Sequence, residues 1–135
     1  MKNLNDICKD IVEEVDYARA AAVVDQDSGL LLGVSHHVSY FTQGYLDAVA
    51  AASVELFRGK GISTIEKMLA EMRGEEPKRC IQELQMTTDD TFHFMVVVPS
   101  KPNILAILVS GKKINIGMGW AVLRSRLKDI ANACP

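Results

Sequence analysis

The sequence has few cysteines, no long apolar run and almost no excess charge of either sign. Its three cysteines lie far apart without a C-x-x-C pair, which argues against a disulfide framework and favours reduced thiols. No apolar run approaches the roughly 18–20 residues of a membrane-spanning helix, and the opening MKNLNDICKDIVEE is too acidic for a secretory signal. A net charge of −2 gives no electrostatic reason to expect nucleic acid or a membrane surface. We therefore expect a soluble cytoplasmic protein.

Motifs that place catalytic groups are also missing. The sequence contains no G-x-S-x-G, no H-E-x-x-H and no G-x-G-x-x-G opening a helix. Adjacent His36 and His37 have no Cys, Asp or Glu at ligand spacing, so we interpret them as loop or partner-contact residues rather than a metal site. The basic R-G-K-G at 58–61 follows a helix and lacks the spacing of a phosphate-binding loop. We predict no catalytic residue, metal or cofactor.

The apolar periodicity predicts a single domain spanning residues 1–135. Thr42 is expected to cap an Ala-rich helix, and Ser63 and Glu66 match a capping box opening a second helix that ends at Gly74. The predicted elements are a helix (4–15), a hairpin (20–35), a broken helix (43–58 and 63–73), a second hairpin (80–98), a strand (104–109) and a final helix capped by Asn115.

The second hairpin joins two unlike strands. Its second arm, FHFMVVV, is apolar at nearly every position, whereas its first arm, IQELQM, is half polar. A strand that is apolar on both faces is covered by helices on both sides, and polar residues are typical of edge strands. We predict 92–98 and 104–109 as interior strands and 79–86 as an edge strand. The fold class is therefore α/β (α+β), with three layers around a five-stranded, mainly antiparallel sheet.

Several segments, in this order, resemble a known family. A helix leads into AAVVDQDSGLLLG, a long Ala-rich helix follows, and then come IQEL, an apolar hairpin and a terminal helix opening INIGMGW. Over about residues 5–131 the chain resembles the Roadblock / dynein light-chain family, including bacterial members similar to the activator subunit of a cell-polarity GTPase. The resemblance implies a profilin-like fold. The segment 59–77 departs from the short form of the family by lengthening the route to the third strand.

The resemblance also implies a function. Members of the family typically dimerise through the long helix and the third strand, and they bind or regulate small Ras-like GTPases or act as adaptors in motor and signalling assemblies. They are usually not enzymes. The resemblance therefore implies a homodimer that is a non-catalytic scaffold or regulator, with a small Ras-like GTPase as a possible partner.

The predicted dimer interface lies on the long helix and the third strand. Small alanines allow two helices to approach closely, and a twofold axis at Ile81 would place Arg79 opposite Glu83 of the other chain, an attractive cross-strand pair. The residues predicted to form the interface are Tyr45, Ala48, Ala52, Leu56, Arg79, Ile81, Glu83 and Gln85.

A second hypothesis is a small-molecule sensor or an enzyme with an apolar pocket between the sheet and the broken helix. Methionine side chains adapt to irregular ligands, and four of them could line such a pocket. They are Met68, Met72, Met86 and Met95. We favour the simpler interpretation, in which these side chains fill the core.

Overall fold

A computed structural model describes residues 2–135, and its sheet confirms the predicted fold class. Five strands lie in the order β2-β1-β5-β4-β3, and every neighbouring pair is antiparallel. The elements are α1 (Leu4–Glu14), β1 (Ala18–Asp25), β2 (Leu30–His36), α2 (Gln43–Arg58), α3 (Lys60–Arg73), β3 (Glu83–Thr87), β4 (Thr91–Val97), β5 (Ile104–Gly111), α4 (Ile116–Ser125) and α5 (Leu127–Ala133). No helix within residues 2–135 combines the length and the apolar character needed to cross a membrane.

The sheet separates two apolar clusters. One face packs against α1, α4 and α5, and its cluster includes Phe94, Leu108 and Leu123. The other face packs against α2 through a smaller cluster that includes Phe57 and Met95. Adjacent residues of β4 and β5 thus enter opposite clusters, because successive strand side chains point to opposite faces. The prediction of interior strands at 92–98 and 104–109 is confirmed.

Local capping signals fix where the helices begin. The side chain of Asn3 accepts a hydrogen bond from the backbone N–H of Asp6 and completes a capping box, while Thr42 and Asn115 cap α2 and α4 in the same way. Gly74 ends α3 in the left-handed conformation, with φ of 67°, where glycine avoids the steric cost of a Cβ. The caps at Thr42, Gly74 and Asn115 confirm predictions that depended only on local sequence.

The predicted start of the second half of the broken helix is wrong. Only Gly59 interrupts the helix, and α3 resumes at Lys60 rather than near Ser63. Ser63 does not cap it, because its hydroxyl donates to the carbonyl of Arg58 at 3.1 Å. The Glu66 carboxylate accepts from the backbone N–H of Cys80 instead of closing a capping box. The terminal helix also differs from the prediction, because it divides into α4 and α5 at Arg126.

Gly33 of β2 lies directly against Leu4 at the start of α1. A Cβ at this position would lie 2.6 Å from Cβ of Leu4 and 3.1 Å from its backbone carbonyl carbon. Neither atom is the end of a flexible side chain, so the helix itself would have to move. The contact between α1 and the sheet therefore requires glycine here.

We expect Gly33→Ala to lower the free energy of unfolding by about 1–3 kcal/mol, because the added methyl forces α1 away from the sheet. Chemical denaturation measures this. Gly44→Ala in the first turn of α2 is the matched control, since a Cβ there meets nothing within 4 Å and no loss is expected. Equal stability of Gly33→Ala and the wild-type protein would contradict the steric argument.

Candidate functional site

The outward face of α2 carries an apolar stripe that no other element of residues 2–135 covers. Tyr45 is 50% exposed and Leu56 is 37% exposed, with the exposed alanines Ala48 and Ala52 between them. The opposite side of the helix is buried on the sheet through Ala50, Ser53 and Phe57. Tyr45 and Leu56 therefore lie about a third of a helical turn away from Phe57, on the side of α2 that does not pack on the sheet.

Strand β3 is an edge of the sheet, as the polarity of IQELQM predicts. Gln82 accepts from Val97 at 2.9 Å and Thr88 donates to Thr91 at 2.9 Å, so even-numbered residues bond to β4. Because bonding alternates along an antiparallel strand, Glu83, Gln85 and Thr87 direct their backbone groups to the open edge. The strand begins at Glu83 rather than at 79, so Ile81 lies in the irregular segment before it.

The polar side chains of β3 are anchored on α4. The Arg124 guanidinium donates to both carboxylate oxygens of Glu83 at 2.8 and 2.6 Å and lies over the ring of Trp120. Trp120 Nε1 donates to Gln85 Oε1 at 2.8 Å. This network holds the edge strand against the helix layer and accounts for the polar arm of the hairpin. No local sequence pattern predicts this network, since the partners lie 35 and 41 residues apart.

The segment that leads into β3 is held by the buried carboxylate of Glu66. Its Oε2 accepts from the backbone N–H of Cys80 at 2.6 Å, and its Oε1 accepts from Arg79 at 3.0 Å. A buried carboxylate with two charge-assisted or backbone donors is well satisfied. Arg79 and Glu83 thus each have a partner inside the chain, so the predicted Arg79–Glu83 pair between chains would require both to exchange partners.

Six of the eight predicted interface residues lie on α2 and β3, and Arg79 and Ile81 lie in the segment that leads into β3. We call the eight residues together the edge surface: Tyr45, Ala48, Ala52, Leu56, Arg79, Ile81, Glu83 and Gln85. The half-buried apolar side chains of Leu84 and Met86 lie on the α2 side of β3. The combination of unpaired backbone groups and apolar side chains is suited to binding another protein by strand addition.

The titratable groups do not form a catalytic arrangement. Burial raises the pKa of the Cys8 thiol to about 12, which keeps it protonated and unreactive. Burial lowers the pKa of His93, whose ring nitrogen lies 2.9 Å from Thr91 Oγ1. His37 contacts the carbonyl of Ala18 at 2.8 Å, and the ring centroids of His36 and Phe41 are 5.4 Å apart. No group of three or more His, Cys, Asp or Glu side chains within residues 2–135 is placed to hold a metal ion.

The four methionines do not line one pocket, and the favoured interpretation that they fill the core is correct only for two of them. Met95 is buried under α2 and Met86 packs against the same cluster, whereas Met68 and Met72 are exposed on α3. An apolar pocket does lie between the sheet and the first half of α2, and its lining includes Tyr45 and His93 but no methionine. A larger cleft of about 480 Å³ lies at the end of the edge surface and is bordered by three arginines, Arg58, Arg79 and Arg124. Each of these arginines is paired with a carboxylate of the chain.

Comparison with solved structures identifies the fold. A Roadblock/LC7 domain from Streptomyces avermitilis superposes with a TM-score of 0.70 at 15% identity, covering 97% of this chain and 97% of that chain. Myxococcus xanthus MglB gives 0.68 at 13% identity, covering 96% and 85%. The gliding protein MglB from Thermus thermophilus gives 0.68 at 17% identity, covering 95% and 85%. No family model and no curated protein sequence matches the chain. The resemblance to Roadblock proteins is thus confirmed in the fold.

The Glu83–Arg124 contact predicts a pH-dependent contribution to stability. Hydrogen bonding to Arg124 lowers the pKa of Glu83 below its ordinary value of 4.5, so the folded state favours the ionised carboxylate. That stability is present above pH 4.5 and is lost as the pH falls through the lowered pKa. We expect Glu83→Gln to be less stable than the wild-type protein at pH 7, and the gap to close below pH 4.5.

Chemical denaturation of the wild-type protein and of Glu83→Gln, from pH 7 to below pH 4.5, measures the difference in their free energies of unfolding. Glu76→Gln, at an exposed position in the segment before β3, is the control and should show no gap at either pH. If the stability difference between Glu83→Gln and the wild-type protein stayed the same below pH 4.5, ionisation of Glu83 would not be what stabilises the fold.

Proposed function

We propose that this chain is a dimeric, non-catalytic scaffold or regulator that binds or modulates a small Ras-like GTPase, or that acts as an adaptor in a signalling or motility assembly. The observation that carries the proposal is the open edge of β3, which occurs together with an exposed apolar stripe on α2 in a Roadblock fold. This arrangement is better suited to binding another protein than to catalysing a reaction.

The edge surface favours a second copy of the chain as its first partner. An antiparallel mate on β3 would satisfy the free backbone groups of Glu83, Gln85 and Thr87 and extend the sheet across the interface. The exposed alanines of α2 would let the two copies of this helix approach closely, and Tyr45 and Leu56 would lose their exposure. A ladder centred on Ile81, as the sequence predicts, requires residues 79–82 to extend β3 and pairs Glu83 with Arg79 of the mate. In that register Gln85 faces Pro77, which has no N–H, so a mate that satisfies Gln85 and Thr87 as well would have its twofold axis nearer the middle of β3.

The fold of this chain and its similarity to MglB structures support the proposal of a GTPase partner. Two of the similar structures are MglB proteins, and one of these is named as a gliding protein. The Roadblock resemblance implies binding to small Ras-like GTPases through a preformed platform rather than through an inserted catalytic residue. The side chains of the edge surface fit that role, because those with acid–base chemistry are held in ion pairs. Such a partner implies a cytoplasmic location.

We expect Ala52→Glu to abolish the dimer and leave the monomer folded. Residue 52 is exposed in the single chain, so a carboxylate there is solvated, whereas burial in a helix–helix contact would leave an unpaired charge and raise the dissociation constant at least about tenfold. Sedimentation equilibrium from about 1 to 100 µM, a range that brackets ordinary dimer affinities, measures the change.

Ala121→Glu is the matched control, because Ala121 is an exposed alanine on α4, at the opposite face of the sheet. It should leave the dimer intact. A wild-type chain that is already monomeric throughout the range, or an Ala52→Glu chain as dimeric as wild type, would contradict the proposed interface.

The partner proposal is tested with the small Ras-like GTPase encoded in the same genome, purified and loaded with GDP or with a non-hydrolysable GTP analogue. We expect binding that depends on the nucleotide, because the switch segments of such GTPases are ordered by the γ-phosphate. Calorimetry measures the affinity, and phosphate release measures any change in GTP hydrolysis. Absence of binding in both nucleotide states would overturn the GTPase proposal and leave the dimer result unaffected.

A further inference from the structure

The cleft of about 480 Å³ lies near the end of the sheet at which β1 and β4 finish and β5 begins. Much of its lining is apolar and includes Phe57, Ile81 and Val97, while Gln26 and Arg58 are polar residues of the same lining. A concave site of this volume, with apolar walls and a few polar groups, is typical of sites that bind small molecules. We call it the Gln26 cleft.

Two buried polar atoms of the Gln26 cleft have no hydrogen-bond partner among residues 2–135. They are Oε1 of Gln26, which is an acceptor, and Nε of Arg58, which is a donor. Gln26 as a whole is only 5% exposed. Buried polar atoms are normally hydrogen-bonded, because an atom without a partner loses its hydration on folding and gains nothing in return. Two such atoms beside one cleft indicate that a bound molecule supplies their partners.

The remaining polar atoms of these two side chains are held by the chain. Gln26 Nε2 and Arg58 Nη2 donate to the same carbonyl oxygen, that of Pro102, at 3.3 and 3.4 Å, so the two side chains converge there. The contact with Pro102 also sets the orientation of the Gln26 amide, because the opposite orientation would bring two oxygen atoms together. Arg58 Nη1 donates to Asp27 at 2.6 Å. Gln26 Oε1 and Arg58 Nε are thus left as an acceptor and a donor on neighbouring side chains.

The charged side chains that line the cleft are compensated within the chain. Each of its three arginines has a carboxylate partner: Arg58 pairs with Asp27, Arg79 with Glu66 and Arg124 with Glu83. A ligand therefore needs no charge of either sign. The group that matches the two unpartnered atoms together carries one acceptor and one donor on neighbouring atoms, which is the pattern of a carboxamide.

We infer that the Gln26 cleft binds an uncharged small molecule that carries a carboxamide on an apolar body. The amide oxygen accepts from Arg58 Nε, the amide N–H donates to Gln26 Oε1, and the apolar body packs against Phe57, Ile81 and Val97. Because the two polar atoms lie just beneath the surface of the cleft, the ligand reaches them as the partly exposed Arg58 side chain turns towards the opening. Gln26 and Arg58 lie outside the edge surface, so the site does not depend on the proposed dimer.

The first experiment titrates the nitrogen-15-labelled full chain with hexanamide and follows the Gln26 Nε2 and Arg58 Nε signals by NMR. We expect both signals to shift saturably with a dissociation constant of about 1–10 mM, because so small a ligand gains a limited free energy from its few atoms. Methyl hexanoate offers only acceptors, and hexanoate adds a charge to them. Each should bind at least about fivefold more weakly, since neither supplies a donor to Gln26 Oε1.

The three probes give distinct outcomes. Equal binding of all three would show an unspecific apolar surface and would overturn the carboxamide assignment. If hexanamide produced no saturable shift up to about 50 mM, five times the weakest expected dissociation constant, an ordered water alone would partner the two atoms and the inference would be overturned.

Two variants test whether binding occurs at these atoms. Gln26→Met keeps the length of the side chain without its amide, and Arg58→Lys keeps a positive charge beside Asp27 without the Nε–H group. Each should raise the dissociation constant of hexanamide at least about threefold. Arg126→Lys is the matched control, because Arg126 is also ion-paired but lies outside the lining of the cleft, and it should leave binding unchanged.

Circular dichroism checks that the variants fold, and Arg58→Lys, at a partly exposed position, keeps the test valid if Gln26→Met does not. Wild-type affinity in a folded Arg58→Lys chain would place hexanamide elsewhere and overturn the assignment. Ala52→Glu should bind hexanamide as the wild-type chain does. Loss of binding in that variant would mean that a second copy completes the site, and would overturn its assignment to the single chain.

A longer probe separates a small molecule from a segment of another protein. The capped pentapeptide acetyl-Gly-Leu-Gln-Leu-Gly-amide carries the same amide groups on a chain too large for the cleft to enclose. We expect it to bind no more tightly than hexanamide. If it shifted the Arg58 Nε signal with an affinity at least about tenfold higher, the cleft would take a peptide segment by its backbone, and the small-molecule assignment would be overturned.

Discussion

The burial of β5 on both faces is the constraint on which the rest of the structure depends. Its residues alternate between the two apolar clusters, so helices must cover both sides of the sheet. With β1 and β4 on either side of it, β5 occupies the centre, and β2 and β3 are left as edges. The edge position of β3 is thus a consequence of the apolar centre. Its open backbone groups are the feature that the proposed binding of another protein would use.

Two carboxylates determine how this edge is presented. Glu83 holds β3 against α4 through Arg124, and Glu66 holds the preceding segment against α3 through Cys80 and Arg79. Glu83 lies on the edge strand itself and Glu66 lies on α3, and both bind partners within the chain. These contacts order the strand in the single chain, so that pairing of the kind proposed would meet a smaller ordering cost. The same contacts make an interchain Arg79–Glu83 pair less favourable than the sequence suggests.

Sequence reasoning succeeded where the decisive contact is local and failed where it is distant. The caps at Thr42 and Asn115 were predictable because each side chain binds a backbone N–H three residues on. The edge position of β3 was predictable from its polar residues. Glu66 was misassigned because its spacing from Ser63 matches a capping box, while its actual partner is 14 residues away. The hydrogen bond from Cys80 to the buried carboxylate of Glu66 is more favourable than a solvent-exposed capping box with Ser63, and no local sequence pattern predicts it.

Helix α3 shows why an amphipathic pattern alone does not distinguish a buried face from an exposed one. The apolar residues of α2 occupy two sides of the helix, one that packs on the sheet and one that faces solvent. In α3 the larger apolar side chains are the exposed ones, and the buried side is formed by Ala70 and a carboxylate. The break at Gly59 lets α3 leave the direction of α2, so its apolar line is not required to meet the sheet. Because the contacts of Glu66 with Arg79 and Cys80 fix the rotation of α3, its larger apolar side chains stay in solvent.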